Sequence, residues 1–369
     1  MSEHRIIPLA SPDIRESDIA AVGAVLRSGM LVQGSIVREA EAAIVSFTGA
    51  SHAGLLSNGT ASLHLALLAL GVGPDDEVIL PAFSYVATAN VVELVGARCV
   101  FVDIDLNSFN IRPERIEEQI TPRTKAIMPV HEFGLCADMT RIMGVARSHD
   151  IPVIEDAACA IGSKHVGKQA GTFGDFGSFS FHPRKSVTSG EGGCLVTANP
   201  ALDERIRTLR NHGIAPDSSP MDFVEAGFNY RMTDFQAALL YGQIKRLSAT
   251  LARKRAIAVC YLSEIRNQMV TLPSVPEDSE HSWQTFHLLL ESETQRDALS
   301  AHLRRSGIMS NYGAQCIPAM RYYKKKYGNN FWKEFPDAFR AYTCGLAIPL
   351  YDKLLDEQAK RVIDSINSF

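Results

Sequence analysis

Three short stretches of the chain carry residues whose types and spacing could do chemistry. In Gly174-Asp175-Phe176-Gly177-Ser178-Phe179-Ser180-Phe181-His182-Pro183-Arg184-Lys185, an alternating Phe/Ser run enters a turn and presents a lysine. Gly190-Glu191-Gly192-Gly193 follows, where the backbone must bend or approach something closely. A lysine desolvated in such a place has a lowered pKa and can attack a carbonyl to form a Schiff base. The same spacing suits an ordinary surface lysine in a loop. In Val153-Ile154-Glu155-Asp156-Ala157-Ala158, a carboxylate emerges at the end of an apolar strand. That edge is where ligands bind in open α/β sheets. A buried Asp156 needs a cationic partner, such as a protonated pyridine nitrogen, whose ring it would keep an electron sink; a helix N-cap is the other reading. Ser57-Asn58-Gly59-Thr60-Ala61-Ser62 stands directly before an apolar run. Small residues at a helix start leave backbone N–H groups open to an anion, and the Thr60 hydroxyl adds a donor. Capping without a ligand explains the same residues.

Other patterns fall short. Gly162-Ser-Lys-His-Val-Gly167-Lys168 reads almost as a phosphate-binding loop, but Gln169 stands where the magnesium-binding hydroxyl should be. No G-x-G-x-x-G follows an early strand, and the histidines do not pair at zinc spacing, so no metal site is expected.

The elements that must position these residues alternate along the chain. Helices are expected over 61–70 and 139–148. Short buried strands are expected over 77–80, 99–102, 126–130 and 152–154, then around Phe179, Phe181 and 194–196. This alternation predicts an α/β fold, a mostly parallel sheet between helices. After about residue 245 the pattern changes: a charged helix over 247–264, a strand over 285–290, a helix over 294–305 and two more helices near the end. We therefore expect a large domain over 16–245 and a smaller C-terminal α+β domain over 246–369, with residues 1–15 packing on the small domain or on a partner.

Composition narrows the function classes. The chain has 369 residues, 46% hydrophobic and 21% charged, with a formal net charge of -4. That balance argues against a nucleic-acid partner. No run approaches the roughly 20 apolar residues that span a bilayer. No apolar h-region follows Met-Ser-Glu-His-Arg, so no signal peptide is expected. The seven cysteines are scattered, with no C-x-x-C pair, which predicts a reduced, cytoplasmic protein.

Taken in order, the three stretches resemble the sugar aminotransferases of the DegT/DnrJ/StrS kind, fold type I enzymes dependent on pyridoxal 5'-phosphate (PLP). The similarity runs from about Gly29 to the C-terminus. It implies that Lys185 holds the cofactor as a Schiff base and later shuttles protons. It implies that Asp156 pairs with the pyridinium nitrogen, and that Thr60, Ala61 and Ser180 bind the phosphate with Gly59 making room. Tyr85 would stack on the ring, with Phe83 as the fallback. Asn229, in Gly227-Phe-Asn-Tyr-Arg231-Met, would reach the phosphate of the neighbouring subunit, which implies a homodimer with shared sites. The resemblance further implies an amino donor, usually glutamate, and a keto-sugar acceptor, usually nucleotide-linked. Relatives that dehydrate sugars carry histidine in place of the lysine.

The chain departs from the family pattern at three places. Cys159 stands where Gln or His is common near the cofactor's ring hydroxyl, and cysteine is a weak hydrogen-bond partner. The usual His-Tyr-Pro segment is replaced by Ser310-Asn-Tyr312-Gly-Ala-Gln315-Cys-Ile-Pro318, a loop that commonly faces the substrate. His131-Glu-Phe-Gly134 keeps its histidine in a slightly altered form. On this reading His131, Tyr312 and Gln315 are the candidate substrate contacts. A cyclitol or another non-sugar ketone is the alternative acceptor, and a PLP-binding regulatory protein is the alternative without turnover.

Overall fold

The computed structural model describes residues 6–215, 218–328 and 330–369. The charged Met-Ser-Glu-His-Arg start lies outside the described residues. Seven strands lie side by side in the order Arg98–Val102, Glu77–Pro81, Thr124–Ile127, Ile154–Asp156, Phe176–Ser180, Gly193–Thr197 and His52–Leu56. Parallel bridges from Ile127 to Val153 and from Val130 to Asp156 join the two halves of this sheet. Pairing is parallel from the Arg98 edge as far as Phe176–Ser180. Gly193–Thr197 is antiparallel to both of its neighbours, so it alone runs against the rest. The sheet is therefore mixed and mostly parallel, as the alternation of elements predicts. Glu77–Pro81 and Gly193–Thr197 are buried along their whole length, as strands covered on both faces must be.

Helices cover both faces and form two apolar cores. One gathers Leu63, Leu67, Leu80, Val91 and Phe176. The other gathers Val37, Ile44, Ile142, Phe179 and Leu240. A third core, built on Tyr261, Phe286, Leu288, Leu346 and Ile363, belongs to the C-terminal part and includes Ile7. Ile7 also bridges to Ile308, which ties the described N-terminal residues to that part.

Two features differ from the sequence expectation. The charged helix is not a short connector over 247–264 but one unbroken helix, Asp234–Glu264. Thr233 starts it through a capping box with Gln236. Its first half feeds the second core through Ala237, Leu240 and Leu251, and its second half feeds the third through Ile257 and Tyr261. The chain also returns to the first core late, because Ala314, Cys316, Tyr323, Phe331 and Ala341 pack there. Two residues from that return, Gln315 and Cys316, pair antiparallel with Ser84 and Phe83. The late segment is thus stitched to the end of the Glu77–Pro81 strand.

Candidate active site

The site lies where the parallel strands end. Side chains alternate across a strand, so adjacent acids serve opposite faces. Glu155 is fully buried and accepts from the backbone N–H groups of Gly171, Phe173 and Gly174 at 2.8, 2.6 and 2.8 Å. His131 meets the same carboxylate at 2.8 Å. Glu155 is therefore a structural knot. Asp156, one residue on, is 5% exposed. It accepts from the Thr88 hydroxyl at 2.7 Å and from the Ala158 N–H at 3.2 Å. It forms no ion pair among the described residues. Burial pushes its carboxyl above the usual carboxylate range, against the pull of Thr88, Ala158 and Lys185.

Lys185 enters from the loop after Phe176–Ser180. That loop is clamped on several sides. Thr188 donates its hydroxyl to the Phe181 carbonyl at 2.8 Å, and the side chain of Gln243, on the long helix, holds both backbone groups of Thr188. Lys254, on the same helix, donates to the Ser186 hydroxyl at 2.9 Å, and Gln284 donates to the Arg184 carbonyl. The half-buried Lys185 reaches Cys159, its Nζ donating to Sγ at 2.9 Å. The expectation of a lysine with a lowered pKa is reversed here. Burial does work against the ammonium, but Cys159, Asp156 and Glu132 outweigh it, and the lysine stays above its ordinary value. Burial likewise pushes the Cys159 thiol up.

The third stretch meets this pair from the first strand. Helix Gly59–Ala69 begins beside Ser180, and a Cβ on Gly59 would come within 2.9 Å of the Ser180 Cβ. Glycine is therefore what lets the helix start approach the lysine strand. Asn58 caps the helix by accepting from the Ala61 N–H at 2.8 Å. The capping reading thus holds for Ala61, whose N–H is already engaged. The N–H groups of Gly59 and Thr60 belong to the first turn, which has no intrahelical acceptors. With the Thr60 and Ser180 hydroxyls they are the donors that could take a phosphate.

The remaining candidates divide. Tyr85 is 63% exposed and precedes helix Ala87–Leu94, whose Thr88 touches Asp156. It is free to cover a ring. Phe83 is not: it is fully buried against Phe133, Phe109 and His287, at ring distances of 5.9, 6.2 and 6.3 Å. That removes it as the stacking fallback. His131 does not face a substrate either. It has no exposure, its Nδ1 accepts from the Ala137 N–H at 3.1 Å, and its Nε2 is spent on Glu155. Its backbone N–H bonds the Asp156 carbonyl at 3.0 Å, so it braces the strand end from behind. Gln315 pairs with Ser84, next to Tyr85, and its side-chain oxygen is buried without a hydrogen-bond partner. Tyr312 is exposed, with the Arg296 guanidinium 4.4 Å above its ring. Asn229 is exposed on the segment that bridges to Asn211, and the carbonyl of the next residue, Tyr230, accepts from the Ser57 N–H at 2.8 Å, just before the helix start.

Sequence reasoning missed Thr88 and Glu132, which the fold brings to Asp156 and Lys185 from separate segments. The signals were the proximity of Thr88 to Tyr85 and the place of Glu132 in the altered His131-Glu-Phe-Gly134 segment. The residues fit PLP: a buried carboxylate with no ion-pair contact among the described residues, a lysine near it, and a helix start tightened by glycine. No group of ligands that could hold a metal occurs among the described residues.

A model of the DegT/DnrJ/EryC1/StrS aminotransferase family matches residues 12–367. Among solved structures, the chain is similar to Spr1654 of Streptococcus pneumoniae, described as a sugar aminotransferase and solved in its PMP form. Identity is 31%, TM-score 0.94, with 98% of this chain and 97% of that one covered. It is also similar to DesV of S. venezuelae, at 31% identity and TM-score 0.92, with 99% and 98% covered. Helicobacter pylori PseC, an aminotransferase involved in the biosynthesis of pseudoaminic acid, matches at 26% identity and TM-score 0.92, with 99% and 100% covered.

Proposed function

The chain belongs to the DegT/DnrJ/EryC1/StrS aminotransferase family, whose members use pyridoxal phosphate, and we propose that it moves an amino group from glutamate to a nucleotide-linked keto sugar. The observation that carries this reading is the meeting of Lys185 and the buried Asp156, which has no ion-pair partner among the described residues, beside the Gly59 helix start. Bound there, the cofactor supplies an exchangeable carbonyl and an electron-withdrawing ring.

The protein's own residues would do the rest. Asp156 would hold the proton on the ring nitrogen, and Thr88 fixes the carboxylate that does so. Gly59, Thr60 and Ser180 would take the phosphate, and Tyr85 would cover the ring and exclude water. Lys185, released by an incoming amine, would move a proton off the donor's α-carbon and later return it to the acceptor carbon. Gln315 and Tyr312 would meet the sugar, Gln315 through its unpaired buried oxygen. Lys185 stands where sugar dehydratases of this pattern carry histidine, which supports amine transfer over dehydration.

We further propose a homodimer with shared sites, which the surface around Asn229 supports. Met221, Phe223 and Val224 are more than half exposed there, as are Met30 and Val32 on the loop whose Leu31 carbonyl accepts from the Asp234 N–H at the start of the long helix. Large apolar side chains are rarely left in water in such number without a partner. We place the enzyme in the cytoplasm, in keeping with seven unpaired cysteines; no helix among the described residues is long and apolar enough to cross a membrane.

The test is a matrix of amino donors against nucleotide-linked keto sugars, with product amine read by mass spectrometry. Glutamate with at least one such sugar is expected to react. Turnover confined to free amino and keto acids, or to cyclitol ketones, contradicts the sugar reading.

A further inference from the structure

The reaction just described uses Thr88 but not the hydroxyl behind it. The Thr88 hydroxyl donates to the Asp156 carboxylate at 2.7 Å, and the Ser84 hydroxyl lies 3.0 Å from that of Thr88. Ser84 is 2% exposed and Thr88 1%. Among the described residues, Thr88 is the one hydrogen-bond partner of the Ser84 hydroxyl. Both residues are held in place. The Ser84 backbone pairs with Gln315, and two residues back the Ala82 carbonyl accepts from the Ile317 N–H at 2.8 Å. Thr88 stands in the first turn of helix Ala87–Leu94, with its own N–H on the Tyr85 carbonyl at 3.2 Å.

The available protons fix the direction of this pair. A carboxylate only accepts, and a hydroxyl has one proton to give. Thr88 spends its proton on Asp156, so Ser84 must spend its own on Thr88. The reverse order would leave the carboxylate without that donor and the buried Ser84 proton without an acceptor, which folded proteins avoid. Successive donations polarise one another, so a hydroxyl that accepts becomes a stronger donor. What this relay opposes is burial. Burial pushes the Asp156 carboxyl up, and Thr88 is foremost among the groups that hold it down, ahead of the Ala158 N–H, Lys185 and His131. Glu132 is the other acid that faces it.

We propose that Ser84 is a positioning residue for the cofactor: acting through Thr88, it keeps Asp156 an anion and so makes the site select a ring that carries a protonated nitrogen. Thr88 touches the carboxylate itself, while Ser84 sets the direction and strength of that contact. A protonated Asp156 would offer the ring only a neutral partner, and the selection would fade. Two buried hydroxyls that merely satisfied one another would affect stability alone.

The inference rests on Asp156 as the partner of the ring nitrogen, and its test separates the two claims. Cofactor-free protein is titrated with PLP and with its 1-deaza analogue, in which a C–H replaces the ring nitrogen. Both ligands carry the same aldehyde and phosphate, so a general loss of packing weakens both and cancels in the ratio of their dissociation constants. The wild type is expected to favour PLP. Thr88→Val should cut that preference about tenfold, the worth of one hydrogen bond to a charged group. Ser84→Ala should cut it about two- to fourfold, the worth of polarisation along a hydroxyl pair. The double variant should match Thr88→Val, because Ser84 acts only through Thr88. Ser84→Cys, whose thiol is a weak donor, is expected to behave as Ser84→Ala and carries the test if the alanine variant does not fold. A wild-type preference in the Ser84 variants, or a double variant that loses the full Ser84 effect on top of Thr88→Val, overturns the relay while leaving Asp156 in its role. A wild type that binds both rings alike overturns the assignment of Asp156, and the relay with it.

Discussion

Asp156 is buried with one hydroxyl and one backbone amide as hydrogen-bond partners and no cation in an ion pair. Removing one member of a buried charge pair costs roughly 3–5 kcal/mol. If a ring nitrogen supplies the missing cation, Asp156→Asn should bind PLP at least about 100-fold more weakly, since 1.4 kcal/mol is tenfold in affinity. Equilibrium titration of the cofactor's visible absorbance measures this, and wild-type affinity would remove Asp156 from that role. At this scale the sequence was informative where chemistry and spacing coincide. Locally, Lys185 and Asp156 also read as a surface lysine and a helix cap; they stood out because they follow Thr60-Ala61 in the order the family resemblance gives. Glu155 did not, although it anchors three amides, because an acid's partners are invisible until the chain closes on it. Glu132 was hidden for the same reason. His131 misled, because a histidine in a motif gives no sign that both its ring nitrogens are already spent.

The elements that deliver these residues depend on a few close approaches. One is Gly59, whose Cβ would come within 2.9 Å of the Ser180 Cβ. Gly59→Ala should destabilise the protein by roughly 1–3 kcal/mol, the usual cost of overpacking. It should also weaken phosphate binding by pushing the helix start off the strand. Chemical denaturation and PLP titration read the two effects; an unchanged stability and affinity would show that the helix start does not depend on that contact. The strands and the central helices were legible from periodicity, since buried parallel strands read as short apolar runs. The start of helix Asp234–Glu264 was not. Its first turns mix apolar residues with Gly242 and lack a clean amphipathic stripe, and the Thr233/Gln236 capping box went unread. The return of residues 314–341 to the first core was equally illegible, because which core an apolar helix joins is a tertiary matter.

In the whole molecule, the large sheet and the C-terminal part are joined through the long helix, which contributes side chains to two cores. The same helix holds the lysine loop through Gln243 and Lys254, so the lysine's position is coupled to both parts. Exposed Val32 and Phe223 lie on the surface proposed for a second subunit. Phe223→Asp should shift the protein towards monomer in sedimentation and, because Asn229 would then reach no neighbouring site, lower cofactor retention with it. A wild-type protein that sediments as a monomer with full cofactor content would contradict shared sites. The central claim remains that Lys185 carries the cofactor. Borohydride reduction of the PLP-loaded protein, followed by peptide mapping, tests it most directly. The cofactor's mass is predicted on the peptide containing Lys185, and to be absent from Lys185→Ala. Labelling of Lys254 or another lysine, or unimpaired labelling and turnover in Lys185→Ala, would contradict it.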